Sequence, residues 1–192
     1  MPSIHPPERL WYTGDADADR LIARQPLALL IGFTLDQQVT VQKAFSGPLE
    51  LQRRLGKTLD AALIASIAPD ELERVFRARP ALHRFPGAMA GRVQDLCATI
   101  AGDYGNDASR IWLDAVDGRD LRTRLLRLPG VGEMKAASIV AVLAKRFGLV
   151  LPGLEAVLPA HPTLGDVDSS EALAAYQAGK RAHKAAMRAG GR

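Results

Sequence analysis

The sequence predicts an all-α fold. Hydrophobic residues make up 47% of the 192 positions and aromatics only 5%, so the core must be mostly Leu, Ala, Ile and Val. A β-sandwich favours β-branched and aromatic side chains, and packed helices suit this composition better. Ala-rich, Leu-rich and Arg-rich stretches of high helix propensity recur along the chain. No segment reads as a strand; Leu149-Val150-Leu151 is too short to change the class.

Residues 3–14 read as an extended, proline-containing lead-in. Residues 15–25 start acidic and carry the apolar pair Leu21 and Ile22, which suits a short helix. Pro26 is placed to open the next one. Leu27, Leu30, Ile31 and Phe33 form its apolar face, and 36–45 continues or restarts it. Short helices are expected over 48–55 and 59–67, separated by Gly56-Lys57. Pro69-Asp70-Glu71 starts another, with acids in the first turn where the helix dipole favours them. Leu72, Val75 and Phe76 give it a buried stripe, and Pro80 stops it. Phe85-Pro86-Gly87 is a turn before a long helix, 88–104, and 111–116 and 119–127 follow. Three prolines and two glycines make 149–165 an irregular connection. Ser169-Ser170-Glu171 starts a last helix, to about residue 188.

Cys97 is the only cysteine, so no disulfide within the chain and no Cys-based metal or iron–sulfur cluster is expected. A small buried helical residue is its simplest role. No apolar run is long enough to span a bilayer, and the first residues lack the basic-then-apolar pattern of a signal peptide. A cytoplasmic protein without a cofactor or a membrane partner is expected. The net charge is +4 and the pI about 9.5, which permits nucleic-acid binding without requiring it. Arg119, Arg122, Arg124 and Arg127 cluster before Pro129. Lys180, Arg181, His183, Lys184, Arg188 and Arg192 crowd the C-terminal end. Either set also reads as a solvated helix face.

The segment 125–147 carries the most specific signal. Leu121, Leu125 and Leu128 recur on one helix face. Pro129-Gly130-Val131-Gly132 then forces a tight reversal, and the glycines expose backbone N–H groups with no side chain in the way. Residues 133–147 follow as a helix that is apolar nearly all round, hence buried. A turn with outward amides at the start of a buried helix suits a phosphate oxygen. Lys135 adds charge there and Glu133 opposes it. Such contacts position DNA and do not read its sequence. A bare Gly-x-Gly would equally fit a helix-ending turn.

The full Leu-Pro-Gly-Val-Gly-x-x-Lys-Ala run between two helices resembles the hairpin of the helix-hairpin-helix (HhH-GPD) DNA glycosylase superfamily. Asp36-Gln37-Gln38-Val39-Thr40 is similar to that superfamily's Gln-Gln-aliphatic-Ser/Thr motif. The pattern over about 21–149 looks closest to a compact bacterial subgroup of base-excision-repair-type proteins without an iron–sulfur cluster. The resemblance implies two helical lobes around a DNA cleft, residues 26–135 forming one and residues 1–25 plus 136–192 the other. It implies a monomer that binds double-stranded, lesion-containing DNA in the cytoplasm, at the nucleoid. Its DNA-binding residues would be Gln38, Gly130, Val131, Gly132 and Lys135, with Arg92 touching a phosphate. Gln38 would fill the gap left by a flipped base, since an amide replaces the lost hydrogen bonds.

The resemblance also locates departures. Bifunctional relatives carry a Schiff-base Lys two residues after the second hairpin glycine, where this chain has Met134. That implies a monofunctional enzyme without lyase activity. The superfamily's Asp beyond the second hairpin helix stabilises the oxocarbenium-like sugar and orients water. Here 149–158 holds no Asp; Glu155 is its only acid, and Asp166 and Asp168 come later. Asp166 and Glu155 are the catalytic candidates, each equally readable as a surface or helix-start acid. His161 is a further loop candidate. Trp11, Tyr12 and Trp112 are the aromatics that could stack on a base, with core packing the simpler reading for Trp112. Three functions stay open: a monofunctional DNA glycosylase, a non-catalytic binder of damaged or distorted DNA, and a protein-interaction module that kept the fold.

Overall fold

The computed structural model describes residues 4–190; Ser3 of the lead-in and Arg192 of the basic cluster lie outside them. Asp15 opens the first helix, its carboxylate accepting from the N–H groups of Asp17 and Ala18. This is α1, Ala16–Arg24. Pro26 opens α2, Pro26–Leu35, which buries every residue from Leu27 to Leu35. A helix apolar on all sides has to sit at the centre of the core. Thr40 caps α3, Val41–Leu55, through a bond from the N–H of Lys43.

Of the two expectations for 36–45, the restart holds: the helix breaks over 36–40 and resumes at Val41, and Pro48 lies inside α3 rather than starting a helix. Proline removes one helical N–H and disfavours the preceding turn by about 3 kcal/mol. Packing offsets that cost. Glycines at 32 and 47 let α2 and α3 touch: a Cβ on Gly32 would stand 2.4 Å from the Phe45 ring, and one on Gly47 2.4 Å from Leu35 Cδ1. Phe45 also stacks edge-on against Phe33 and Tyr12, each with centroids 5.1 Å apart.

The chain continues as α4 (Ala61–Ser66), α5 (Pro69–Arg77), α6 (Pro86–Asp103), α7 (Arg110–Leu113), α8 (Gly118–Leu126), α9 (Glu133–Lys145) and α10 (Ser170–Gly190). Two 3-10 helices, Leu154–Val157 and Leu164–Asp166, interrupt the expected irregular connection. Among the described residues there is no strand, so the protein is all-α. α1 packs on α2 and α3, and α4 and α5 both lie on α6. α8 packs on α9, which also carries the Leu164–Asp166 turn. Cys97, Tyr12 and Trp112 are fully buried, which fixes the last two as core residues. No helix of the described residues is long and apolar enough to cross a membrane. Among the same residues, no group of three His, Cys, Asp or Glu side chains is placed to hold a metal ion.

Candidate functional site

The turn between α8 and α9 is built from inside out. Asp117 caps α8, and Leu121, Leu125 and Leu128 are buried beneath it. The Val131 N–H donates to the Leu128 carbonyl at 3.1 Å, and the Val131 side chain is buried. Val131 therefore anchors the turn, and its N–H is already committed. Gly130 has φ +76°, a conformation L side chains rarely adopt. Gly132 differs: it is extended, and a Cβ there would meet nothing within 4 Å. Nothing inside the protein requires a glycine at 132. No side chain caps α9, so its first amides face outward at the positive end of the helix. Glu133 is paired with Arg122 across the turn, which offsets its charge. Met134 points outward and is 69% exposed.

A second turn spans 36–40. Its backbone is tied down by His83, a buried residue between two turns. His83 Nε2 lies 3.1 Å from the Leu35 carbonyl and 3.0 Å from that of Gln37, while Nδ1 accepts from the Phe85 N–H at 3.0 Å. Two carbonyls at Nε2 and one N–H at Nδ1 assign the neutral ring with its proton on Nε2. Burial holds the ring below its ordinary pKa, with Lys43 and Arg84 acting in the same direction against the two carbonyl bonds. The Gln37 side chain accepts from Arg92 of α6. Gln38 is exposed and takes φ +55°.

Lys135 lies in the first turn of α9. Its ammonium is buried without a hydrogen-bond partner among the described residues. Burial lowers its pKa; Asp36 attracts it and Arg92 repels it. Burial pushes the Asp36 carboxyl up, opposed by Lys180 and Lys135. Lys180 belongs to α10, which is clasped to α3 by a reciprocal amide pair between Gln42 and Gln177, at 2.7 and 3.3 Å. Arg92 thus bonds the 36–38 turn, and Lys135 and Lys180 are within electrostatic reach of Asp36 in that turn.

Of the expected acids, Asp166 is engaged by protein groups and Glu155 is exposed. Asp166 closes a capping box with Thr163, whose N–H it accepts at 2.8 Å, and its other oxygen meets Lys145 Nζ at 2.5 Å. Burial alone would raise its pKa, but Lys145 and Thr163 outweigh burial and hold it low. Glu155 is exposed on the Leu154–Val157 turn, and His161 is exposed in the following loop. The charges acting on Lys135 are Asp36 and Arg92. Of the sequence-derived candidates, Arg92 bonds the turn that holds Gln38, and Lys135 is within electrostatic reach of Asp36 in the same turn. Asp36 lies inside the Gln-Gln motif with no role that the motif implies, and His83 belongs to no motif. A histidine between two predicted turns was the available signal for the latter.

Comparison with family models, with curated proteins and with solved structures finds no match.

Proposed function

We propose that the chain binds double-stranded DNA and hydrolyses the N-glycosidic bond of a damaged, extruded base. It does so as a monomeric, monofunctional helix-hairpin-helix glycosylase, with its DNA in a cleft between 26–135 and 1–25 plus 136–192. One observation carries the reading: Arg92 bonds Gln37 in the Asp36-Gln37-Gln38 turn, and the hairpin cation Lys135, far away in sequence, is within electrostatic reach of Asp36 in that turn. Outward amides at Gly132 and the α9 start take a phosphate oxygen. Exposed Gln38 enters the space a flipped base leaves. Asp36, rather than Asp166 or Glu155, supplies the carboxylate, because it is the acid that acts on Lys135. It takes a proton from water as the oxygen attacks C1′ and the base departs with the bonding electrons. Met134 is a thioether and forms no Schiff base, so the strand stays intact.

The test is release of free base from a panel of lesion-bearing duplexes. Wild type is expected to release at least one base, and Asp36→Asn none, with duplex affinity kept. Borohydride is expected to trap no covalent adduct. Base release by Asp36→Asn at the wild-type rate would remove Asp36 from the mechanism.

A second reading, a non-catalytic binder of distorted DNA, is favoured by Asp166: both of its oxygens are engaged by Lys145 and Thr163. Duplex binding with no release by wild type across the panel selects that reading.

A further inference from the structure

The outer half of α10 has no protein to lie on. Leu173 is buried and Tyr176 and Gln177 are half-buried, but every residue from 178 to 188 is exposed. Short isolated helices are marginal in water, so an unsupported helical stretch gains from a partner. Its side chains indicate which one. Between residues 172 and 188 there is no acidic residue, while Lys180, Arg181, Lys184 and Arg188 are cationic. Among the described residues none of these four is in ion-pair contact with a carboxylate. The helix dipole favours cations in the last turn, which covers Arg188 and not Lys180 or Lys184.

Register gives the direction. Leu173, Gln177 and Lys180 follow the i, i+4, i+7 spacing of one face, and this face seats the helix: Gln177 bonds Gln42, and Lys180 acts on Asp36. Four-residue steps carry the same face on to Lys184 and Arg188, about 6 Å apart along the axis. The unsupported cations therefore point to the side that carries the start of α3 and the 36–38 turn before it.

We propose that this half of α10 is a second DNA-binding element, an arm laid along the phosphates that flank the hairpin contact. The inference rests on the DNA-binding reading above and adds to it a partner surface on a separate helix. Contacts of this kind add affinity and salt dependence without base preference.

The test is duplex binding by the full chain, measured by fluorescence anisotropy against salt. Three proteins are compared: wild type, Lys184→Ala/Arg188→Ala, and the hairpin variant Gly132→Glu. Alanine is a strong helix former, so far-UV circular dichroism should stay unchanged; Lys184→Gln/Arg188→Gln repeats the test with polar replacements. Losing two phosphate contacts is expected to flatten the slope of log K against log salt by about 2 and weaken binding about tenfold at low salt. The arm is overturned if both double variants match wild type in affinity and slope while Gly132→Glu abolishes binding; the hairpin reading then stands. It is also overturned if they lose binding to phosphatidylserine vesicles but not to DNA. If wild type binds no duplex, the DNA reading falls and the arm with it.

Discussion

His83 sets the position of the Gln-Gln turn through three hydrogen bonds, two to carbonyls and one from an N–H. His83→Ala leaves those buried groups unpaired and is expected to cost about 2–4 kcal/mol in denaturant melts. The ring also makes stability depend on pH. In the unfolded chain it gains a proton near pH ~6.5, whereas burial delays that step in the folded state. Between the two values the unfolded state holds more protons, so stability falls as pH drops below about 6.5. His83→Gln should melt lower than wild type and lose that part of the slope. Asp36 gives a second pH signature. Its pKa is raised, and the proposed chemistry needs the ionised form. Base release should therefore fade, as pH falls, with a midpoint above the ordinary Asp value of ~3.9. Lys135→Met removes a buried ammonium with no hydrogen-bond partner. It is expected to weaken duplex binding without lowering the melting temperature, which a purely structural lysine would not do. At this scale the sequence was legible where chemistry is local: Gly130 announces its positive φ through its place after Pro129. His83 and Asp36 were not legible, because their roles depend on partners across the fold.

α2 and α3 show what a helix pair adds. α2 was readable from its unbroken apolar run. α3 was misread, because Pro48 is a strong local stop and only the contact with Leu35 and Phe45 overrides it. That contact is close enough that Gly32→Ala, which drives a Cβ into the Phe45 ring, should destabilise by about 1–3 kcal/mol in denaturant melts. The loop after α5 is held in a comparable way. Arg54 of α3 donates to the carbonyls of Val75, Ala78 and Pro80, at 2.7, 2.9 and 2.6 Å, and pairs with Glu50. Arg54→Met should raise hydrogen exchange over 75–86 ahead of the rest of the chain. Apart from the i, i+4 pair with Glu50, these bonds follow no helical period, so the sequence pattern carried no sign of them. The α8–α9 turn lies at the other extreme: its helices, its glycines and its buried Leu face are all local features, and all appear where the pattern put them.

At the scale of the whole molecule, an all-α core brings together residues that the chain keeps apart. The composition was enough to fix the helical class. Asp36 could not be proposed that way, because its electrostatic influence on Lys135 arises from packing and not from spacing. The resemblance points to Asp166 and Glu155 as candidate acids, whereas the proposed Asp36 comes from the end of α2, within electrostatic reach of Lys135. The net charge of +4 is modest, so any grip on DNA has to come from placement of cations rather than from their number. The most direct measurement pairs thermal melting with duplex binding for wild type and Gly132→Glu. Position 132 is extended and open, so the variant should melt as wild type does. Its carboxylate would stand in front of the α9 amides, so duplex binding should be lost. A Gly132→Glu protein that folds normally and binds duplex DNA as tightly as wild type would contradict the hairpin grip.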